Sequence, residues 1–258
     1  IKGTYIVSFH DFRKLKVPAF WHKYPSKKYI IVNVPSTYPA REVNGVHISG
    51  FVSPDLSKAV YPPLYLDVLK KMDYRVDIDA DRSRRYKNVL FRELFSTLDA
   101  RMKVFKYFCE KIDWDIAMFV VTGSDRLEHF LWDAYLDEEN EWHMPFLEFF
   151  KFVDDVIGYI TNNIIDDNDN LMIISDHGME LSEMDVYVNT ILAREGYLLL
   201  KDNPRRGYNS IRSGTKAFAL EPARIYINVE GRYPRGSVKA SEVDGVIDEI
   251  IGLFSSLK

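Results

Sequence analysis

The sequence predicts an α/β protein with a mostly parallel sheet and helices on both faces of that sheet. Short and continuous apolar runs recur along the chain, and the clearest are residues 29–34, 116–121 and 171–175. Such runs are typical of parallel strands that are buried on both faces. The longer segments between them have apolar residues at intervals of three and four, which indicates amphipathic helices. Strands that alternate with helices favour a parallel sheet, so we expect these three strands in one sheet.

The other elements can be placed from turn residues and from the same periodicities. Proline and the Asn44-Gly45 pair mark the turns around the second strand. The segment from about residue 83 to 111 contains no Pro or Gly, which favours one long helix. A cluster of charged residues lies where this helix begins and predicts a solvent-exposed helix start: Arg82, Arg84, Arg85 and Lys87, flanked by Asp77, Asp79 and Asp81. We expect further strands at 46–51, 217–220 and 225–229, and helices at 61–71, 83–111, 125–135, 145–163, 186–194 and 243–254.

Composition excludes several classes of protein. The chain has 258 residues, of which 47% are hydrophobic and 28% charged, a balance that argues against disorder. A formal net charge of −4 gives no basic field for a nucleic-acid surface. The longest central apolar run, residues 116–121, is far too short to span a bilayer. For that reason we expect no membrane partner. One cysteine, Cys109, excludes an internal disulfide framework and fits a reducing compartment, so we expect a cytoplasmic location.

Side chains that can bind metal follow two of the predicted strands directly. Asp125 comes after the run 116–121, and His129 lies one helical turn further on the same face. Asp176 and His177 come directly after the run 171–175. A carboxylate and an imidazole at one point can hold a metal ion such as Zn²⁺. Because sites in parallel sheets form beyond the carboxyl ends of strands, we expect all four residues to converge.

Each motif also has an ordinary structural explanation. Asp125 could cap a helix, and Asp176-His177-Gly178 could form a plain turn. It is the occurrence of both motifs, each after a buried strand, that favours metal binding. The remaining histidines have no partner at ligand spacing, so we expect surface positions, or packing positions with satisfied hydrogen bonds, for His10, His22, His47 and His143.

These motifs resemble those of the type I phosphodiesterase/nucleotide pyrophosphatase family of the alkaline phosphatase superfamily. Residues 122–132 (TGSDRLEHFLW) resemble its strand followed by D-x-x-x-H, and residues 175–179 (SDHGM) match its S-D-H-G-M segment almost letter for letter. Residues 33–39 (NVPSTYP) resemble a stretch of its archaeal and bacterial branch. Similar stretches of that branch are found at 215–220, 224–228 and 231–236. The resemblance covers nearly the whole chain.

The resemblance implies an alkaline-phosphatase-like fold and a metal-dependent hydrolase of small phosphoric esters. Two divalent metal ions are implied, with zinc favoured and manganese or iron as alternatives. Asp125 and His129 would bind one ion, and Asp176 and His177 the other. The implied reaction is an in-line displacement at phosphorus that passes through a covalent phospho-enzyme. The sequence identifies no catalytic residue, and it does not predict the oligomeric state.

The family pattern also includes an N-terminal Asp ligand, a Thr or Ser nucleophile and a third His near the C-terminus. We find none of these in the chain, and we therefore expect it to be an internal portion of the pattern. The expected organisation is a single alkaline-phosphatase-like domain of residues 1–258 with residues 52–112 as a helical insertion. Two alternatives stay open for the activity: another reaction of the superfamily, such as that of a phosphomutase or a sulfatase, or a non-catalytic remnant of the fold.

Overall fold

The computed structural model describes Tyr5 and residues 11–201, 210–221 and 224–256. Contacts divide the chain into two compact units. The larger unit is His10–Leu181, and the smaller unit is Ser182–Lys258 with Ile1–Phe9. His10, one of the histidines considered above, lies outside the described residues. The single domain and the helical insertion expected from the sequence stay predictions.

The larger unit is built around a four-stranded sheet in the order β3-β2-β1-β4. Its strands are β1 (Tyr29–Val34), β2 (Gly45–Ser49), β3 (Val60–Tyr61) and β4 (Ile116–Phe119). Strand β1 runs parallel to both β2 and β4, whereas β3 is antiparallel to β2. The expected α/β class with a mostly parallel sheet is therefore confirmed.

The helices of the larger unit follow the predicted pattern with three differences. The helix expected at 61–71 begins later, because Tyr61 lies in β3; a short helix at Phe20–Lys23 was not expected; and one long helix is broken. The helices are α1 (Phe20–Lys23), α2 (Leu66–Lys71), α3 (Ala80–Arg85), α4 (Lys87–Lys111), α5 (Gly123–Leu136) and α6 (His143–Asn163). Short 3-10 helices lie at Phe12–Lys14, Leu56–Lys58 and Pro63–Tyr65. The helix expected at 83–111 is divided at Tyr86, whose backbone is extended. The predicted helix start is confirmed, because Asp79 caps α3 by accepting the Arg82 amide proton.

Alternation along β1 supplies apolar side chains to both faces of the sheet. Ile30 and Val32 pack with Phe105 and Phe108 of α4 on one face. Tyr29 and Ile31 face the opposite side, where they pack with Trp21 of α1 and Phe12. A third cluster joins α4, α5 and α6 through buried Leu94, Leu127 and Phe149. This packing fixes α5, and with it the residues that follow β4.

The structure corrects the expectation for residues 171–175, which form no strand. Their apolar side chains are exposed, with Met172 and Ile174 at 81% and 80%. An apolar run indicates a strand only where a partner edge is available, and this segment pairs with none in the described part of the chain. Strand β4 is also only half-buried rather than buried on both faces. It is an edge strand of the described sheet, which accounts for its exposure.

The smaller unit has its own two-stranded sheet. Its elements are α7 (Val188–Arg194), β5 (Ala217–Glu221), β6 (Arg224–Ile227), a 3-10 helix at Ala240–Glu242 and α8 (Val243–Ser255). Strands β5 and β6 pair antiparallel, because the two residues between them are too few for a parallel crossover. Phe218, Leu192 and Ile250 lie at the centre of its core. None of the described helices combines the length and the apolar character that crossing a membrane requires.

Candidate functional site

The site begins where β4 passes into α5. The Val120 amide donates to the Val32 carbonyl, which extends the pairing with β1 one residue past the end of β4. Helix α5 then begins at Gly123. A Cβ at that position would lie 2.6 Å from Cζ of Phe149, so glycine allows α5 to start in close contact with α6. Asp125 is consequently the third residue of α5, just beyond the carboxyl end of the strand.

Asp125 and His129 form the first pair of the site. Asp125 Oδ1 lies 3.3 Å from His129 Nε2, as the i, i+4 spacing on a helix predicts. The His129 side chain is about half exposed, and that of Asp125 about one third. Their position on one face of α5 was therefore predictable from local sequence alone.

Asp176 and His177 approach this pair from the irregular segment after α6. His177 Nε2 lies 3.7 Å from Asp125 Oδ1 and 3.6 Å from Asp176 Oδ2. The four residues expected to converge do lie together, and we call them the Asp–His cluster. The reason given for the convergence was partly wrong, because His177 follows an irregular segment and not a strand. Asp176 is the most exposed member, at 89% of its side chain.

The ring orientation of His177 suits a ligand role for its Nε2 atom. His177 Nδ1 lies 2.8 Å from the Gly178 carbonyl oxygen, to which the Nδ1–H group donates. In the neutral ring this leaves a lone pair on Nε2, the atom closest to Asp125. The same hydrogen bond, followed by the charges of Asp176 and Asp125, raises the pKa of His177. The carboxylates therefore stabilise the protonated ring, whereas the neutral ring offers its Nε2 lone pair to a metal ion.

Glu128 belongs to the electrostatic surroundings of the cluster. Burial and the negative charge of Asp125 raise the pKa of Glu128, while His177 and His129 oppose the rise. Glu128 therefore interacts electrostatically with Asp125, His177 and His129.

The chemistry of the donor set fits a divalent metal ion. Two ligand atoms at about 2.0 Å from one tetrahedral zinc ion are separated by roughly 3.3 Å, which is the spacing of Asp125 and His129. The described residues contain no group of three or more His, Cys, Asp or Glu side chains arranged to hold a metal ion. The cluster therefore offers neighbouring pairs of suitable donors, with Asp125 Oδ1 common to two of them, rather than a closed coordination shell.

An ion pair next to the cluster was missed at the level of sequence. Arg126 Nη2 lies 2.6 Å from Asp77 Oδ2, and Arg126 Nη1 lies 4.0 Å from Asp125 Oδ2. The Arg126 guanidinium also lies over the ring of Phe51, 4.4 Å from its centre. In the sequence, Asp77 is indicated only as one residue of the charged stretch before α3. The position of Arg126 within D-R-L-E-H, directly after a proposed ligand, was the signal that could have identified it.

A buried arginine supports the loop that precedes Asp125. Arg101 of α4 is 2% exposed, and its Nη1 donates to Thr122 Oγ1 over 2.7 Å. It also donates to the carbonyl oxygens of Arg75 and Val76. Asn33, at the end of β1, donates to the Val120 carbonyl over 3.1 Å. These contacts fix residues 120–122, and so the start of α5, relative to the sheet.

The other described histidines occupy packing positions, but they are satisfied only in part. Both ring nitrogens of His22 and Nε2 of His47 are buried and make no hydrogen bond to any described residue. His143 Nδ1 lies 2.9 Å from the Ala134 carbonyl oxygen. His22 and His47 belong to an aromatic cluster with Phe12 and Trp21.

Comparison with known proteins supports one assignment. No curated protein and no solved structure matches the chain. A family model does match, and it covers residues 3–257. That family consists of phosphoester hydrolases, and the observed α/β architecture with its mixed, mostly parallel sheet is consistent with an alkaline-phosphatase-like fold. The chain therefore belongs to the type I phosphodiesterase/nucleotide pyrophosphatase family.

Proposed function

We propose that this chain hydrolyses small phosphoric esters with two divalent metal ions held by Asp125, His129, Asp176 and His177. The observation that carries the proposal is the approach of two imidazole nitrogens, from separate segments, to the single oxygen Asp125 Oδ1. Membership in a family of phosphoester hydrolases supports hydrolysis of a phosphoric ester as the reaction at this site. The mixed nitrogen and oxygen donors favour zinc, with manganese or iron as alternatives.

Each residue of the site has a role that its position supports. Bound divalent ions would act as Lewis acids on the phosphoryl oxygens. Asp125 and His129 hold fixed positions because α5 is packed on α6. The Gly178 carbonyl orients the ring of His177. Arg126, restrained by Asp77, places its guanidinium beside Asp125.

The proposal assigns no nucleophile. It includes a cytoplasmic location, which rests on the single unpaired Cys109.

The test is hydrolysis of bis(4-nitrophenyl) phosphate by the purified chain with added Zn²⁺ or Mn²⁺, and with a chelator. Asp125→Asn is expected to lower kcat/KM by at least about 100-fold, because it removes the carboxylate that lies near both imidazoles. That factor corresponds to a loss of about 2.7 kcal/mol in transition-state stabilisation. Asp154→Asn is the matched control, since Asp154 is an exposed carboxylate on α6 that takes part in none of the ion pairs of the cluster.

The outcomes separate the alternatives. Metal-dependent hydrolysis that Asp125→Asn abolishes and Asp154→Asn leaves intact supports the proposal. Metal binding with turnover of 4-nitrophenyl sulfate but not of the phosphodiester would replace it with a sulfatase. A chain that retains no metal at micromolar concentrations and hydrolyses neither ester would be a non-catalytic member of the family.

A further inference from the structure

Arg101 of α4 is a buried cation whose hydrogen bonds, within the described part of the chain, all go to uncharged groups. The residue is 2% exposed. Its Nε donates to the Arg75 carbonyl over 3.1 Å, and its Nη2 donates to the Val76 carbonyl. Its Nη1 donates to Thr122 Oγ1 over 2.7 Å. Burying a guanidinium without a carboxylate to pair with costs free energy, so the groups that Arg101 holds indicate what it does.

Arg101 reaches the start of α5 directly through Thr122. The hydroxyl oxygen of Thr122 accepts from Arg101, and its carbonyl oxygen accepts from the Arg126 amide over 3.2 Å. Thr122 precedes the first residue of α5, and Asp125 is the third residue of that helix. The Arg101 side chain therefore restrains the helical turn that presents Asp125.

A second route from Arg101 reaches the same turn through the segment before α3. Its other two hydrogen bonds hold the carbonyl groups of the two residues before Asp77. Asp77 in turn pairs with Arg126 over 2.6 Å, and Arg126 Nη1 lies 4.0 Å from Asp125 Oδ2. Both routes thus start at one guanidinium and end at the turn of α5 that carries Asp125.

This arrangement requires the planar fork of an arginine side chain. Each of the three guanidinium nitrogens of Arg101 donates to a different acceptor, and the plane of the group fixes the three directions relative to one another. A lysine ammonium carries the same charge on a flexible stem and has no such fork. Arg101→Lys consequently separates the charge of this side chain from its geometry.

We propose that Arg101 is a positioning residue for the metal site, which holds the carboxylate of Asp125 beside His129 and so sets the affinity of this pair for a divalent ion. The ligand in this inference rests on the proposed function, whereas the restraint on α5 exists without a metal ion. Ligand groups must be held within about 0.5 Å of their binding geometry, and a looser support weakens binding. The pair of Asp125 Oδ1 with His129 Nε2, 3.3 Å apart, depends on the first turn of α5 for that precision.

The first measurement is amide hydrogen exchange of the full chain without metal. The Arg126 amide reports on the turn, because it donates to the Thr122 carbonyl. Arg101→Lys should raise its exchange rate by about tenfold, since the fork is lost, and leave the amides of β1 unchanged. Phe108→Leu is the control, because Phe108 is a buried residue of the same helix that belongs to the sheet-facing core and to neither route. It should not change the exchange of the Arg126 amide.

The second measurement is the zinc affinity of each variant, by competition with a chromophoric chelator. Arg101→Lys should weaken zinc binding by roughly 10- to 100-fold, the range typical of groups that support metal ligands. Thr122→Val removes only the direct route and should have a smaller effect. Adding Asp77→Asn to Thr122→Val removes both routes and should approach the effect of Arg101→Lys. Phe108→Leu should leave the affinity within about twofold of the wild type.

The outcomes distinguish this role from a contribution to stability alone. Thermal unfolding establishes which variants are folded, and Thr122→Val maintains the test if Arg101→Lys is not. Faster exchange of the Arg126 amide together with weaker zinc binding upholds the proposal. Zinc binding that is equal in all variants, or weakened as much by Phe108→Leu, overturns the role of Arg101 and leaves the proposed function standing. A wild-type chain that binds no zinc overturns the proposed metal site and this role with it.

Discussion

Asp77 and Arg126 form an ion pair in which Oδ2 and Nη2 are 2.6 Å apart, with side-chain exposures of only 15% and 18%. The residues are 49 positions apart in sequence, so the pair joins the segment before α3 to the start of α5. The hydrogen bond that Arg126 donates to the Asp77 carboxylate is the main cause that raises the pKa of Arg126. This contact restrains the turn of α5 that carries Asp125.

Removal of the Asp77 charge should therefore destabilise the protein. Asp77→Asn leaves the Arg126 guanidinium partly buried without its carboxylate, and we expect a loss of about 2–3 kcal/mol in the free energy of unfolding. The pair Lys103–Asp99 has the same 2.6 Å separation but is exposed, at 62% and 50%. Asp99→Asn should accordingly cost less than about 1 kcal/mol. Urea unfolding of both variants measures the difference, and equal losses would contradict the role given to burial.

The two halves of the Asp–His cluster should differ in their effect on metal affinity. Asp125 Oδ1 lies near both imidazoles, whereas Asp176 is largely exposed and contacts only His177. We expect Asp125→Asn to reduce zinc affinity by more than the roughly 10- to 100-fold typical of an outer-shell partner. Asp176→Asn should have the smaller effect, and neither variant should unfold the chain. Metal analysis after dialysis provides the measurement.

The corresponding control is thermal unfolding with excess zinc and with chelator. If Asp176→Ala and His177→Ala lower the melting temperature equally under both conditions, these residues are structural and the metal assignment is wrong. If the variants lower the melting temperature only in excess zinc, the result supports the assignment of these residues as metal ligands.

Contacts of the site between residues close in sequence could be predicted, whereas contacts between distant segments could not. Asp125 and His129 share a face of α5 through i, i+4 spacing, which the sequence states directly. The approach of His177 to Asp125 depends on where a distant segment lies, and the strand invoked for it is absent. The ion pair of Asp77 with Arg126 was missed, because a carboxylate in a charged stretch gives no indication of a partner 49 residues away.

The fold was predicted best where periodicity alone decides the structure. Strand β1 and helix α5 lie where the apolar pattern placed them, because both are covered by packed layers. Residues 171–175 have a similar apolar composition but are exposed. Apolar composition indicates that a segment can form a strand, whereas the availability of a partner edge depends on tertiary structure.

Acid should destabilise the protein through His47. The side chain is fully buried, and burial lowers the pKa of His47 from 6.5 to about 4, with the charges of His22 and Arg41 acting in the same direction. The unfolded state therefore takes up the proton first as the pH falls. The stabilisation is complete above about pH 6.5 and is lost between pH 6.5 and 4, and it amounts to about 3 kcal/mol.

The measurement is the free energy of unfolding in urea at pH 7, 5.5 and 4. His47→Asn should flatten this pH dependence relative to the wild type, whatever its effect at pH 7. Some dependence should remain, because burial also lowers the pKa of His22. An unchanged slope in His47→Asn would show that other groups are responsible for the acid sensitivity.

In the smaller unit, Asn228 should be the most sensitive polar position. It is fully buried, and its Nδ2 donates to the carbonyl oxygens of Thr215 and Arg235, each over 2.8 Å. Its Oδ1 accepts from the Tyr5 hydroxyl over 3.1 Å. Asn228→Ala removes three hydrogen bonds and leaves buried groups without partners, so we expect a loss of about 2–4 kcal/mol in unfolding free energy.

Hydrogen exchange is the most direct measurement for Asn228→Ala, because it reports on the smaller unit separately. The amides of β5 and β6 should exchange faster by the factor that corresponds to the lost free energy, while those of β1 and β4 should not change. Asn162→Ala is the matched control, since its amide donates to Gly158 over the same 2.8 Å but is exposed on α6. It should change unfolding free energy by less than about 0.5 kcal/mol. Equal effects of the two variants would mean that the buried network contributes no more than an exposed helix contact.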